Sequence, residues 1–92
     1  MQFGLFSLTT LSSPRGDTAR LLAETRAEVQ LAEQLDFDVA WFAEHHFSNY
    51  SISSSPLLVV AHMAQATSQI RLGPAVVVLP FYEPLRLAED VC

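Results

Sequence analysis

Short apolar runs alternate along this chain with longer segments whose apolar residues recur every three or four positions, and that alternation limits the fold more than anything else. Phe3, Leu5, Phe6 and Leu8 fall in residues 2–8, closed by the polar cluster 9–17. A run of this kind bounded by turn residues reads as a buried strand, with a loop around Pro14-Arg15-Gly16. Asp17 is placed to cap a helix, because its carboxylate can accept from the free amides of the next turn. Over residues 18–35, Leu22, Thr25, Val29 and Ala32 repeat at helical spacing while Arg20, Glu24, Arg26 and Glu33 fall elsewhere. The spacing predicts an amphipathic helix with one buried stripe. Asp36-Phe37-Asp38 then makes a tight connection into a second strand that ends near Ala43.

The second half repeats the pattern. A serine-rich loop, residues 48–54, leads to Ser55-Pro56, where serine can cap and proline can occupy the first helical turn. The helix expected over residues 56–67 carries Leu57, Leu58, Val59, Val60, Ala61, Met63, Ala64 and Ala66. It is apolar nearly all round, so it needs cover on more than one side. Within residues 70–79 the run Ala75-Val76-Val77-Val78-Leu79 does not alternate, which predicts a third strand buried on both faces. Pro74 cannot donate to a ladder and marks the strand start or an irregular position. Glu83-Pro84 opens another helix with Leu85, Ala88 and Val91 on one side.

Strand, helix, strand, helix, strand, helix is the repeat of a parallel α/β protein. Two architectures compete, a doubly wound sheet and a (β/α)8 barrel. The first calls for a glycine-rich turn after the first strand when it binds nucleotides, but Gly4 and Gly16 are far apart and neither begins such a pattern. Elimination favours the barrel, which typically needs ~250 residues. The 92 residues here supply three of eight strands. The expectation is therefore the N-terminal part, 1–92, of a single barrel domain, incomplete and ending in the helix after the third strand. Missing chain or a second subunit would cover the apolar second helix.

Composition narrows the function classes. A hydrophobic fraction of 50% with 16% charged residues describes a globular chain. The net charge of -5, with five arginines and no lysine, argues against a nucleic-acid partner, which requires a basic face. Cys92, the lone cysteine, permits no internal disulfide. With neither a signal peptide nor a membrane-length apolar stretch in view, a soluble cytoplasmic protein is expected.

Chemistry concentrates in Glu44-His45-His46-Phe47, directly after the strand-like run Asp38-Val39-Ala40-Trp41-Phe42-Ala43. The C-terminal end of a strand is where α/β proteins build their sites. Neighbouring side chains in an extended chain point to opposite sides, so one imidazole can face a ligand while the other braces the loop. No zinc set is expected, because His62 sits in an apolar helix and Cys92 is terminal. Trp41 and Phe42 read as core, His62 as a packing or interface residue, and Tyr50 and Tyr82 as loop residues open to substrate or solvent. Arg15 and Arg86 read as solvated or helix-paired rather than phosphate-binding.

Together, Met1-Gln2-Phe3-Gly4-Leu5-Phe6, Trp41-Phe42-Ala43-Glu44-His45-His46-Phe47, residues 71–80 and residues 83–90 resemble the N-terminal part of the bacterial luciferase family of flavin-dependent monooxygenases. The resemblance covers nearly the whole chain and implies a (β/α)8 barrel binding reduced FMN, or in some relatives a deazaflavin. It implies O2 and a small organic substrate as reactants and a flavin reductase as possible partner; separately, the all-round apolar second helix leads to the expectation of a homodimer at full length. His45 matches the family histidine acting near the flavin as acid or base, and Glu44 and His46 belong to the same motif. Phe6 corresponds to a flavin-facing position. Ala75 and Val76 correspond to a bulge where the family often has a non-proline cis peptide against the flavin ring. An apolar, water-excluding wall suits such oxygen chemistry, and histidine suits proton control because its ordinary titration lies near neutral pH. Asp36 stands where relatives usually have glycine, so a left-handed backbone is expected there. A deazaflavin-dependent hydride-transfer enzyme and a non-catalytic barrel subunit of a heterodimer remain open alternatives at this level.

Overall fold

The structure, a computed structural model, describes residues 1–13, 15–48 and 50–92. Three strands, β1 (Gly4–Ser7), β2 (Val39–Phe42) and β3 (Arg71–Pro74), pair in parallel in the order β1-β2-β3. Helices α1 (Thr18–Gln34) and α2 (Pro56–Ala64) connect them, and a 3-10 turn (Leu79–Phe81) leads from β3 to α3 (Pro84–Val91). Leu5, Ala40 and Leu72 form one row across the sheet, and Phe6, Trp41 and Gly73 form the next. Alternation along a strand sends these rows to opposite faces.

Val29 and Ala32 of α1, Met63 of α2, Ala40 and Phe42 of β2, and Ile70 make the buried core, with Leu5, Phe37 and Leu72 against its edge. The opposite row is open: Phe6 is 54% and Trp41 40% exposed. Gly73 belongs to that row because a Cβ there would meet the Trp41 ring at 2.7 Å. Both helices thus cover one face and the strand order never reverses. A doubly wound sheet reverses at a switch point and carries helices on both faces. The arrangement is that of the opening units of a (β/α)8 barrel, whose second sheet face looks into the barrel.

The ends of α1 form as the sequence predicts. Asp17 Oδ1 accepts from the Arg20 N–H at 3.1 Å. At the other end the Phe37 N–H donates to the Ala32 carbonyl at 3.0 Å and the Asp36 N–H to the Glu33 carbonyl at 3.1 Å. This paired closure requires a left-handed residue between them, and Asp36 takes it with φ 58. Such a backbone costs a residue with a Cβ about 1 kcal/mol that glycine would avoid. The Glu33 carboxylate accepts from the N–H groups of Ser68, Gln69 and Ile70 at 2.8, 2.6 and 3.0 Å, tying α1 to the entry of β3.

Four expectations need correction. The run 75–79 is not the third strand. β3 is the preceding segment, Arg71–Pro74, and the last ladder-like bond runs from the Ala75 N–H to the Phe42 carbonyl at 2.8 Å. Beyond it, the Val78 N–H goes to a side chain of the neighbouring loop instead of a strand. Helix α2 stops at Ala64, because the Ala66 N–H and the Thr67 hydroxyl both bond the Met63 carbonyl and close the last turn. Trp41, expected in the core, lies on the open face, while Phe42 is fully buried. Ser55 precedes Pro56 at the start of α2 as expected, but its hydroxyl makes no capping bond. Pro14 of the first loop and Asn49 of the serine-rich loop lie outside the described residues.

Candidate active site

Glu44, two residues beyond β2, is the hub of the C-terminal edge of the sheet. Its side chain is fully buried, and a carboxylate there is tolerable only if donors replace the water it has lost. Three do so. His46 Nε2 lies 2.7 Å from Oε1, and Oε2 accepts from the Val78 N–H at 2.8 Å and from the Tyr82 hydroxyl at 3.2 Å. The carboxylate therefore joins the end of β2 to the segment after β3 and to the approach to α3. Burial, then the charge and hydrogen bond of Glu44, hold the Tyr82 phenol above its ordinary range.

The two imidazoles have different surroundings. His46 is fixed by Glu44 and packs edge-on to Phe81 with ring centroids 4.5 Å apart. His45 donates its backbone N–H to the Ser53 carbonyl at 2.8 Å and sets its ring edge-on to Tyr50 at 4.9 Å. Its Nδ1 is buried and has no hydrogen-bond partner among the described residues, as is the Ser53 hydroxyl. His46 is thus tied to the buried carboxylate, while His45 keeps a ring nitrogen without a partner among the described residues.

The loop carrying these residues is laced to the end of β1. The Ile52 N–H donates to the Thr9 carbonyl at 3.0 Å, the Thr10 hydroxyl to the Tyr50 carbonyl at 2.6 Å, and the Thr9 and Ser51 hydroxyls lie 2.9 Å apart in a buried contact. Two strand ends therefore hold the His45 backbone rather than one. Of the other expected site residues, Phe6 lies on the open sheet face, and the Ala75–Val76 peptide is cis with Val76 64% exposed. Arg86 is paired with Glu89 and Asp90 on its own helix, and His62 is exposed on α2.

Sequence reasoning named Glu44 and both histidines but missed what Glu44 holds. Its partners Val78 and Tyr82 lie 34 and 38 residues away. The one available signal was chemical: a carboxylate directly after an apolar strand has to find donors. Ser53 carried no signal at all among the serines of its loop.

The family model described as luciferase-like monooxygenase matches residues 1–92. The chain is 47% identical over 91 residues to the uncharacterized protein y4vJ of Sinorhizobium fredii, covering 99% of this chain and 26% of that protein. It is 34% identical over 90 residues to the oxygenase component of a flavin-dependent trigonelline monooxygenase from Acinetobacter baylyi, covering 98% and 25% respectively. Among solved structures, the monooxygenase RslO1 from Streptomyces bottropensis superimposes with a TM-score of 0.90 at 28% identity, over 99% of this chain and 28% of that one. The chain spans about a quarter of the length of the relatives it matches.

Proposed function

The chain belongs to the luciferase-like monooxygenase family, and from that premise we propose that the complete protein uses reduced FMN and O2 to oxygenate a small organic substrate. In this reading residues 1–92 make up the first three β/α units of one barrel domain. The flavin-dependent relative at 34% identity supports the cofactor class, and its designation as an oxygenase component supports a separate flavin reductase as partner. No helix among the described residues is long and apolar enough to cross a membrane; a cytoplasmic setting accords with the cysteine usage. The outer side of α2, where Leu58 is 72% exposed, would join two copies in a homodimer.

The residues present fit a flat, apolar ring. The open face of the sheet offers Phe6 and Trp41 beside Gly73, which has no side chain, and Val76, beyond the end of β3, is exposed. Phe6, Ala75 and Val76 would line the flavin, and an apolar wall of this kind keeps water from the reacting atoms. When bound, reduced FMN supplies the electrons for oxygen activation. The protein's own part is to orient and to manage protons. His45 would give or take a proton at a ring nitrogen, His46 would keep the loop in place, and Glu44 would fix the segment that approaches the ring.

The observation that carries this reading is the arrangement of Glu44, His46 and the Val78 N–H around one buried carboxylate, with His45 left free beside it. The test is substrate-dependent oxygen uptake by the complete polypeptide with reduced FMN. His45→Ala should lower turnover by about 100-fold or more, the usual range for a lost acid or base. FMN affinity should change by less than about threefold, because that loss is confined to the reacting state. Equal turnover in variant and parent removes the catalytic assignment.

A further inference from the structure

We infer that Ser53 is the positioning residue that sets the tautomer of His45: its hydroxyl donates to Nδ1 and so keeps the ring's own proton on Nε2. The inference rests on the reading of His45 as the proton-handling residue. Its geometric basis is separate.

Ser53 is 3% exposed and its Oγ is buried without a partner; His45 Nδ1 is buried without a partner as well, among the described residues. The two residues are joined by the 2.8 Å bond from the His45 N–H to the Ser53 carbonyl. Buried polar groups left alone carry a desolvation penalty, so such groups are nearly always paired. A turn of the Ser53 side chain that brings its hydroxyl to Nδ1 satisfies both atoms together.

The direction of the bond follows from counting hydroxyl hydrogens. Thr9 Oγ1 donates its hydrogen to the Leu8 carbonyl at 2.7 Å. In the 2.9 Å contact between Thr9 Oγ1 and Ser51 Oγ, Ser51 must therefore be the donor. Ser51 Oγ also accepts from the Ser53 N–H at 3.0 Å, which pins the Ser53 backbone beside His45. The hydrogen on Ser53 Oγ is the one in this group without an acceptor. Donation to Nδ1 settles the hydroxyl hydrogen and the ring nitrogen with a single bond. Donation the other way, from Nδ1–H to Oγ, would still leave the Ser53 hydrogen unplaced. With Nδ1 accepting, a neutral His45 presents an N–H at Nε2.

The test reads the ring directly, in the complete polypeptide without flavin. Nitrogen–proton correlation spectra of protein labelled in the histidine rings, at mildly alkaline pH, report which nitrogen carries the proton; His45→Ala identifies the signal. The parent should show the Nε2–H form dominant by about tenfold, the ratio that one neutral hydrogen bond supports. Ser53→Ala should shift that ratio measurably toward the Nδ1–H form. The isosteric pair Ser53→Thr and Ser53→Val repeats the comparison at equal bulk, and threonine alone should keep it. In turnover with reduced FMN, Ser53→Ala should lower kcat by about tenfold with KM unchanged, part of the factor an acid or base supplies. It should add nothing in the His45→Ala background.

A proton on Nδ1 in the parent, or an unchanged tautomer ratio in Ser53→Ala, overturns the inference. So does a loss of turnover that persists without His45. Because the spectra involve no cofactor, their failure strikes Ser53 alone. A His45→Ala variant with undiminished turnover strikes the functional reading instead.

Discussion

Replacing Glu44 tests whether one buried carboxylate holds the site together. In Glu44→Ala the Val78 N–H loses a 2.8 Å bond and His46 Nε2 a 2.7 Å bond, while Tyr82 loses a weaker one at 3.2 Å. Bonds to an ionised group contribute about 1.5–3 kcal/mol each, and a buried donor left unpaired costs about 1–3 kcal/mol. The three do not count equally. The His46 side chain keeps 24% of its surface in water and can replace its bond there. Removing the carboxylate also removes the cost of burying it, which offsets part of the loss. About 3 kcal/mol is the expected net destabilisation, in line with breaking a buried polar pair from one side. Glu44→Gln keeps one oxygen for Val78 and Tyr82 and turns an amide toward His46, so about 1–2 kcal/mol should be lost. Tyr82→Phe, which gives up only the longest bond, should cost about 0.5–1 kcal/mol. Urea unfolding of the complete polypeptide measures all three, provided the slope is unchanged. The ranking is the test. An alanine variant within about 1 kcal/mol of the parent, or a tyrosine variant as damaged as Glu44→Ala, would refute the hub, since surface positions stay inside that range.

Two further predictions concern the frame around the site. The three backbone donors of Ile70, Gln69 and Ser68, in that order of effect, hold the Glu33 carboxyl below its ordinary value of 4.5. A carboxyl whose folded value is depressed adds stability above the unfolded value and loses it as pH falls through the folded one. Stability should therefore decline on acidification below about 4.5, and Glu33→Gln should flatten that decline. Identical acid limbs by urea unfolding across that interval would remove the role assigned to Glu33. On α2, Leu58→Glu places a charge on the outer apolar side and should shift sedimentation of the complete polypeptide from dimer to monomer. A parent that sediments as a monomer at micromolar concentration contradicts the dimer itself.

What could be read from the sequence divides along local against long-range physics. The stripe through Thr25, Val29 and Ala32, the Asp17 cap and the turn at Asp36 each depend on residues within one or two helical turns, and each formed where spacing placed it. The run 75–79 misled because local pattern was all there was to judge by. Five apolar residues in a row satisfy a buried strand, yet the Val78 N–H found a buried acceptor from another loop instead of a ladder. The same bond explains why Glu44 was recognisable and its task was not. Its position after a strand is local information, but two of its three partners come from the segment after β3 and the third from its own loop. A residue whose role is to join segments distant in sequence leaves no periodicity behind it. The open row of Phe6, Trp41 and Gly73 follows the same logic, since strand alternation fixes that these positions share a face. Only the position of α1 and α2 together on the other side decides which face is left for a ligand.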